Sequence, residues 1–443
     1  MKKPILFLIS LGLLVGVVLS ACGLNIGPED PRPNFLIIIS DDQRYDTMEY
    51  MPKTTELIFD QGVTFPHAYI TTPLCCPSRS SILTGMYAHN HGVLENEMKL
   101  TMETFVNDLH EAGYYTGLVG KYLNSWDGEA RPEFDYWVSY ARGETRYYNP
   151  RLNINGTWER HTGQYVTDAL GNYAQEFLTQ ASKKNQPYVL ILAFNAPHDP
   201  ATPAKEDQDK LPDLAAYRSP SFNEEDMSDK PAWMIQKPLL TDAEIAELDK
   251  FRRDQILTLL SLDRAIERVM GTLTETGTLD ETMVFYLSDN GKHWGEHRLT
   301  SKNTYFEEAV RVPFAIRYPP LIPNPYTDER VVSNIDIAPT LYELAGLPIP
   351  TTVDGLSLAG LFNPEVTWRE GVLLEGWPPR GVYSAIHTEQ YLYAETVDDI
   401  AELYDLKADP YEMNNLADDP AYQEIKEKLK ALLDQEIQNS TNP

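Results

Sequence analysis

The run Phe35-Leu36-Ile37-Ile38-Ile39-Ser40-Asp41-Asp42 decides how the chain is built. Five apolar residues make a segment of strand length, and a hydroxyl and two carboxylates end it. The arrangement recurs three times. Thr116–Val119 leads to Lys121, Tyr188–Phe194 to His198, and Met283–Leu287 to Asp289-Asn290. Amphipathic segments separate these runs, which predicts an α/β fold with a mostly parallel central sheet sandwiched by helices. In open sheets of that kind, ligands bind in the crevice beyond the carboxyl ends of the strands. Asp41, Asp42, Lys121, His198, Asp289 and Asn290 are therefore expected to converge there.

Between the last two runs, Thr241 and Glu244 form a capping box, and Ile256, Leu259, Leu260 and Ile266 keep helical spacing toward a stop at Gly271. Asp199–Leu240 is long, Pro-rich and charged; it reads equally as a loop covering a substrate or as a plain surface excursion. From about Thr367 the runs Val382–Ile386 and Tyr391–Tyr393, then an amphipathic stretch Tyr422–Ile437, predict a small antiparallel sheet with one helix. The body thus divides into residues 34–366 and a C-terminal subdomain, 367–443.

The chain opens with Lys2 and Lys3, an apolar stretch Ile5–Leu19, and Leu19-Ser20-Ala21-Cys22. The stretch is short for a membrane span and reads as a signal peptide, 1–21. Its ending resembles a bacterial lipobox, which implies cleavage before Cys22, lipidation of that thiol and anchoring to the cell envelope by lipid. The alternative is an ordinary cleaved signal and a free secreted protein. The Pro/Gly-containing stretch 22–33 reads as a tether. Of three cysteines, the other two, Cys75 and Cys76, are adjacent, so no disulfide framework is expected. The formal charge is −29, or −31 once Lys2 and Lys3 are lost with the leader. That balance argues against nucleic acid as a partner, and an anionic substrate needs a local basic cluster.

The most informative stretch is Cys75-Cys76-Pro77-Ser78-Arg79-Ser80-Ser81-Ile82-Leu83-Thr84-Gly85. Pro77 suits a first helical turn and Gly85 a helix stop, which places Cys75 just before a helix N-terminus, an anion-binding position with Arg79 one turn on. The string resembles the sulfatase signature, Cys-x-Pro-Ser-Arg followed by Leu-Thr-Gly. Further matches fall at the strand ends, over nearly the whole chain. The resemblance implies an alkaline-phosphatase-like fold and a sulfuric ester hydrolase. It implies that a separate maturation enzyme oxidises Cys75 to formylglycine, whose hydrate is the nucleophile. Asp41, Asp42, Asp289 and Asn290 then match the family's metal ligands, with residue 75 completing the shell. Side chains offering oxygen suit Ca²⁺, or Mg²⁺.

By the same resemblance Lys121 and Lys302 hold sulfate oxygens, Arg79 orients the nucleophile, and His198 serves the leaving alcohol. Lys302 precedes Glu307-Glu308. His297 is a further candidate for substrate contact, with a structural role equally open. Many sulfatases carry a His two residues after the Lys, whereas here Leu123 and Asn124 follow Tyr122. Gly-Lys-Tyr-Leu-Asn instead resembles the branch of N-acetylglucosamine-6-sulfatases and heparan endosulfatases, which implies a sulfated carbohydrate substrate, in particular 6-O-sulfated N-acetylglucosamine. The rival readings are a phosphodiesterase or phosphonate monoester hydrolase of the same superfamily, and a catalytically silent lipoprotein that binds sulfated glycan.

Overall fold

The computed structural model describes residues 32–362, 366–378 and 381–441. The signal peptide, Cys22 and nearly all of the tether lie outside the described residues. The four apolar runs form β1 (Asn34–Ser40), β2 (Tyr115–Gly120), β3 (Tyr188–Ala193) and β4 (Thr282–Ser288). They sit side by side at the centre of a ten-stranded sheet in the order β4-β1-β3-β2, and all three pairings are parallel. Helices cover both faces, so every residue of these strands is buried, and each strand reads as a nearly unbroken apolar run rather than an alternating one.

Alternation survives in where the side chains go. Phe35, Ile37 and Ile39 join one core layer with Ile82, Leu83 and Leu341, while Leu36 and Ile38 join the opposite layer with Leu170, Phe177 and Ile266. The first layer is closed by helix α1 (Cys75–Thr84), the second by α2 (Val166–Ala181) and α3 (Asp242–Glu275). Antiparallel strands occur away from the centre: β5 (Phe314–Arg317) pairs with β4, and a hairpin, Arg151–Ile154 with Thr157–Arg160, extends the far side.

Helix α3 starts at the expected capping box, with Thr241 Oγ1 accepting from the Glu244 N–H. It does not stop at Gly271. Val269, Met270 and Leu273 prolong its buried stripe to Glu275, and Gly277, in the left-handed region at φ +74°, is the glycine that follows its end. A helical glycine costs only about 1 kcal/mol, which continued core packing offsets.

The C-terminal part is a four-stranded antiparallel sheet, β6 (Gly371–Gly376), β7 (Tyr383–Thr388), β8 (Tyr391–Thr396) and β9 (Ala401–Asp405), as the residue pattern predicts. Helix α4 (Gln423–Thr441) packs Leu429 and Leu433 onto Leu373, Ile386, Tyr393 and Leu403. No helix among the described residues is long and apolar enough to cross a membrane.

Register brings the four carboxyl ends to one edge. Ser40 pairs with Ser288, and Ile39 and Gly120 both pair with Ala193. Gly120 has φ +113°, and a Cβ there would lie 1.8 Å from the Ala193 carbonyl oxygen. Only glycine allows the chain to turn off β2 so closely and deliver Lys121 into the cleft.

Candidate active site

Helix α1 is buried along its whole length, between an extended Leu74 and Gly85, whose φ of +72° closes the C-terminus with an N–H to the Ser81 carbonyl. Cys75 is its first residue rather than the residue before it: Ser78 N–H bonds the Leu74 carbonyl, which moves the start back from Pro77. Cys75 Sγ points at the strand ends, 3.6 Å from Asp41 Oδ1 and 2.8 Å from Lys302 Nζ. The Cys76 N–H is taken by Asn96 Oδ1 at 3.0 Å, and its own thiol faces Ser125 and the Met98 carbonyl.

Cations and carboxylates interlock around residue 75. Arg79 Nε donates to Asp289 Oδ2 at 2.8 Å, Nη1 to the Lys121 carbonyl, and Nη2 stands 3.6 Å from Asp41 Oδ2 without a hydrogen-bond acceptor. Lys121 Nζ donates to Asp41 Oδ2 at 2.6 Å, and Lys302 Nζ to Asp42 Oδ1. Asp42 N–H bonds Asp289 Oδ1, and Asn290 Nδ2 donates to Asp42 Oδ1 at 2.7 Å. All of these side chains except the half-buried Lys302 are buried, so each charge depends on its neighbours.

The electrostatics follow from that dependence. Burial alone would raise the Asp41 carboxyl, yet Lys121, His198 and Arg79 hold it down to about 2. Burial is likewise outweighed at Asp42, which Lys302 and His198 keep well below the usual range. Asp289 goes the other way, raised by burial and by the Asp41 charge. His198 reaches the cluster from the turn after β3, with Nε2 4.0 Å from Asp42 Oδ2. Its Nδ1 must donate, because its partner at 2.9 Å is the Asp199 carbonyl, and that leaves Nε2 toward the cleft. Burial disfavours its charged form, but Asp41 and Asp42 together raise it to about 9.

The cluster fits a divalent cation. Ligand atoms of Asp41, Asp42, Cys75 and His198 lie within 4.8 Å of one another. Asp42 Oδ2 and Asn290 Oδ1 are buried oxygens without a hydrogen-bond donor, a state that an ion would relieve. The donors are mainly hard oxygens, the type that Ca²⁺ or Mg²⁺ takes.

Every residue singled out at the strand ends and in the motif is thus brought together. His297 is not among them in its bonds: its Nδ1 lies 2.7 Å from Glu224 Oε2 and its ring stacks on Phe306. The sequence reading passed over Lys292. Its Nζ is 2.7 Å from Asp199 Oδ2 and 3.5 Å from Asp42 Oδ2, bridging the His198 turn to the carboxylates. A cation directly after Asp289-Asn290-Gly291 was the available signal. Tyr147 Oη and Gln255 Nε2, which donate to the His198 and Pro197 carbonyls, hold the same turn but carry no sequence signal.

The family model described as sulfatase matches residues 33–347. The chain belongs to the sulfatase family. A second model, described as N-sulphoglucosamine sulphohydrolase, C-terminal, matches residues 295–439 of this sulfatase-family chain. The human protein named N-acetylglucosamine-6-sulfatase is 35% identical over 404 residues, covering 84% of this chain and 71% of that protein. A Caenorhabditis elegans protein named as a putative extracellular sulfatase is 35% identical over 376 residues, covering 78% of this chain; the chain spans only 53% of that relative's length. Among solved structures, one of a protein in complex with its substrate D-glucosamine-2-N,6-O-disulfate superposes with a TM-score of 0.82 at 24% identity, covering 93% of this chain and 98% of that one. That likeness bears on the fold, which is the alkaline-phosphatase-like fold of the family, with its small antiparallel C-terminal sheet.

Proposed function

We propose that this protein hydrolyses sulfate monoesters of sugars, with residue 75, oxidised to formylglycine, as nucleophile. The observation that carries this reading is the position of Cys75: first residue of a buried helix, 2.8 Å from Lys302 and facing Asp41, within a lattice of three cations and three carboxylates. A helix N-terminus and buried cations make a site for a transferring sulfuryl group, whose charge is spread over its oxygens.

Asp41, Asp42, Asp289, Asn290 and residue 75 would hold one Ca²⁺ or Mg²⁺. When bound, the ion would supply Lewis acidity to the nucleophile's oxygen and to one sulfate oxygen. The chain's own residues do the rest. Arg79 uses Nη2, its arm without an acceptor, on a sulfate oxygen or on the nucleophile. Lys121 and Lys302 neutralise the remaining sulfate oxygens. His198, whose Nδ1 donates to the Asp199 carbonyl and whose Nε2 faces the cleft, gives its proton to the leaving alcohol. Asn124 is near enough to shape the site, since its side chain and Lys121 Cε flank one point at Gly143, but an amide moves no proton at neutral pH.

The human relative's name supports 6-O-sulfated N-acetylglucosamine as the sugar, and the nematode relative's name supports export. Leu19-Ser20-Ala21-Cys22 supports a lipid anchor at Cys22, and Cys75 requires a maturation enzyme. The division at residue 366 is proposed on the same terms. Mass spectrometry of the peptide containing residues 75 and 76, with rates on aryl sulfate and aryl phosphate, tests the proposal. An aldehyde at residue 75 and faster sulfate turnover are expected. An active preparation with both thiols intact would overturn the nucleophile, and faster phosphate turnover would overturn the reaction.

A further inference from the structure

Beside Lys302 lies a cavity of about 670 Å³, large enough for more than one sugar ring. Its walls come from three separate places. The strand-end loop supplies Lys302 and Thr304, the C-terminal sheet supplies Tyr383 and Thr396, and the long 199–240 segment supplies Trp233 and Lys237. Lys302 is shared: it lines this cavity, and its Nζ lies 2.8 Å from Cys75 Sγ. The cavity therefore adjoins the cluster at residue 75 through Lys302.

Its walls are fixed. The short helix Ala232–Ile235 is tied at one end by the Ala232 N–H to Asp399 Oδ2 at 2.8 Å. Beyond its other end, the Lys237 carbonyl accepts from Arg298 Nη1 at 2.6 Å. Arg298 is occupied with backbone carbonyls through all three nitrogens. Lys237 is different. Its Nζ stands 5.7 Å from the Trp233 ring centroid and makes no ion pair among the described residues. In a chain of net charge −29, a half-buried lysine without an ion pair among the described residues is a local exception to the field.

We infer that Trp233 and Lys237 form a specificity subsite for a sugar carrying a second anionic group besides the ester being cleaved. The indole offers an apolar face for a sugar ring, and the ammonium offers a charge-assisted bond to an N-sulfo or a carboxylate group. Thr304 and Thr396 supply hydroxyls of the kind that bond sugar oxygens. This inference rests on the sulfatase reading for its first anchor, the ester at residue 75. It gives the 199–240 segment a role in substrate choice, and it extends the site from a monoester pocket to one that prefers a multiply charged glycan.

The test is calorimetric binding in the Cys75→Ala background, where turnover plays no part. Three probes are compared: N-acetylglucosamine-6-sulfate, glucosamine-2-N,6-O-disulfate, and N-acetylglucosamine-6-sulfate linked to a uronate. At least one of the two dianionic probes should bind about tenfold tighter than the first, the scale of one charge-assisted contact. Lys237→Met should reduce that preference to about twofold or less, Lys237→Arg should restore it, and Trp233→Ala should weaken all three probes. Which dianionic probe loses most in Lys237→Met separates an N-sulfo from a carboxylate partner. Equal affinities of Lys237→Met and its parent for all three probes would overturn the subsite. Turnover of the singly charged sugar by the unmutated enzyme reports on the sulfatase reading separately.

Discussion

Two buried clusters of acids lie on either side of the segment that runs from Lys302 to Glu308, and they are held in opposite states. At the strand ends, Asp41 and Asp42 are fully buried yet kept ionised, Asp41 at about 2, because Lys121, Lys302, Arg79 and His198 crowd around them. Between the main sheet and the C-terminal sheet, Glu308 and Glu402 are as deeply buried but pushed up to about 8, and Glu412 rises as well. Burial dominates there, and at Glu402 the carboxyl meets the Tyr305 and Tyr404 hydroxyls rather than a cation. Burial alone therefore does not decide protonation; the neighbouring charges of both signs weigh against it, and Asp289, beside Arg79 but also beside Asp41, is raised within the first cluster. On the proposed function, the first cluster holds charge for a metal ion and a sulfate group. In the second, burial raises the carboxyls; Glu402 is bonded by two tyrosine hydroxyls, while Glu308 Oε2 and Glu412 Oε1 have no hydrogen-bond partner among the described residues.

The largest effect should come from breaking the first cluster at its proposed nucleophile. Cys75→Ala should lower kcat on an aryl sulfate by about 10³-fold or more, with little change in melting temperature. Cys76→Ala, one residue away and facing Ser125 and Met98 instead of the carboxylates, should keep most activity. Comparable losses in both variants would remove the special position of residue 75.

Next in size, Asp41→Ala separates chemistry from folding. It removes a proposed metal ligand and leaves Lys121 buried without its carboxylate, so activity and stability should both fall, the latter by about 3–5 kcal/mol. Asp41→Ala with Lys121→Met should recover most of that stability and none of the activity. Thermal unfolding and aryl sulfate turnover of the single and double variants check this. Recovery of turnover in the double variant would mean the pair is structural. Dialysis against a chelator should abolish turnover in the unmutated enzyme, and full activity after that treatment would exclude the metal role.

The first cluster was legible in the sequence because Asp41, Asp42, Lys121, Asp289 and Asn290 directly follow strands and Cys75 opens a helix. Apolar runs announce themselves, and a parallel sheet with flush carboxyl ends does the gathering. Lys302 was found only through its match to a family motif. Lys292 was missed because a single lysine in a turn looks like any surface charge until Asp199 and Asp42 are seen to face it. The second cluster was illegible. Glu308, Glu402 and Glu412 come from a short helix, an edge strand and a turn with no shared spacing, and nothing local marks a glutamate as buried. Gly271 misled for a similar reason, since the packing that carries α3 past it involves residues far away in sequence.

The smallest effect is also the sharpest comparison, because Glu307 and Glu308 are neighbours held in opposite states. Burial would raise Glu307, but Arg311 and His387 hold it down to about 2, whereas burial and Glu296 push Glu308 up to about 8. Both start from an ordinary value of 4.5 in the unfolded chain. For Glu307 the lowered native value gives stability that is present above pH 4.5 and lost as pH falls toward 2. For Glu308 the raised value gives stability that is full below pH 4.5 and lost as pH rises toward 8. Glu307→Gln should therefore lower the melting temperature by several degrees at neutral pH, with the gap closing in acid. Glu308→Gln should match the unmutated protein near pH 4.5 and become the more stable of the two, by a few degrees, as pH approaches 8. Melting curves across that range decide it: the same sign of effect in both variants would mean that burial alone, and not the neighbouring cations, sets the charge of these acids.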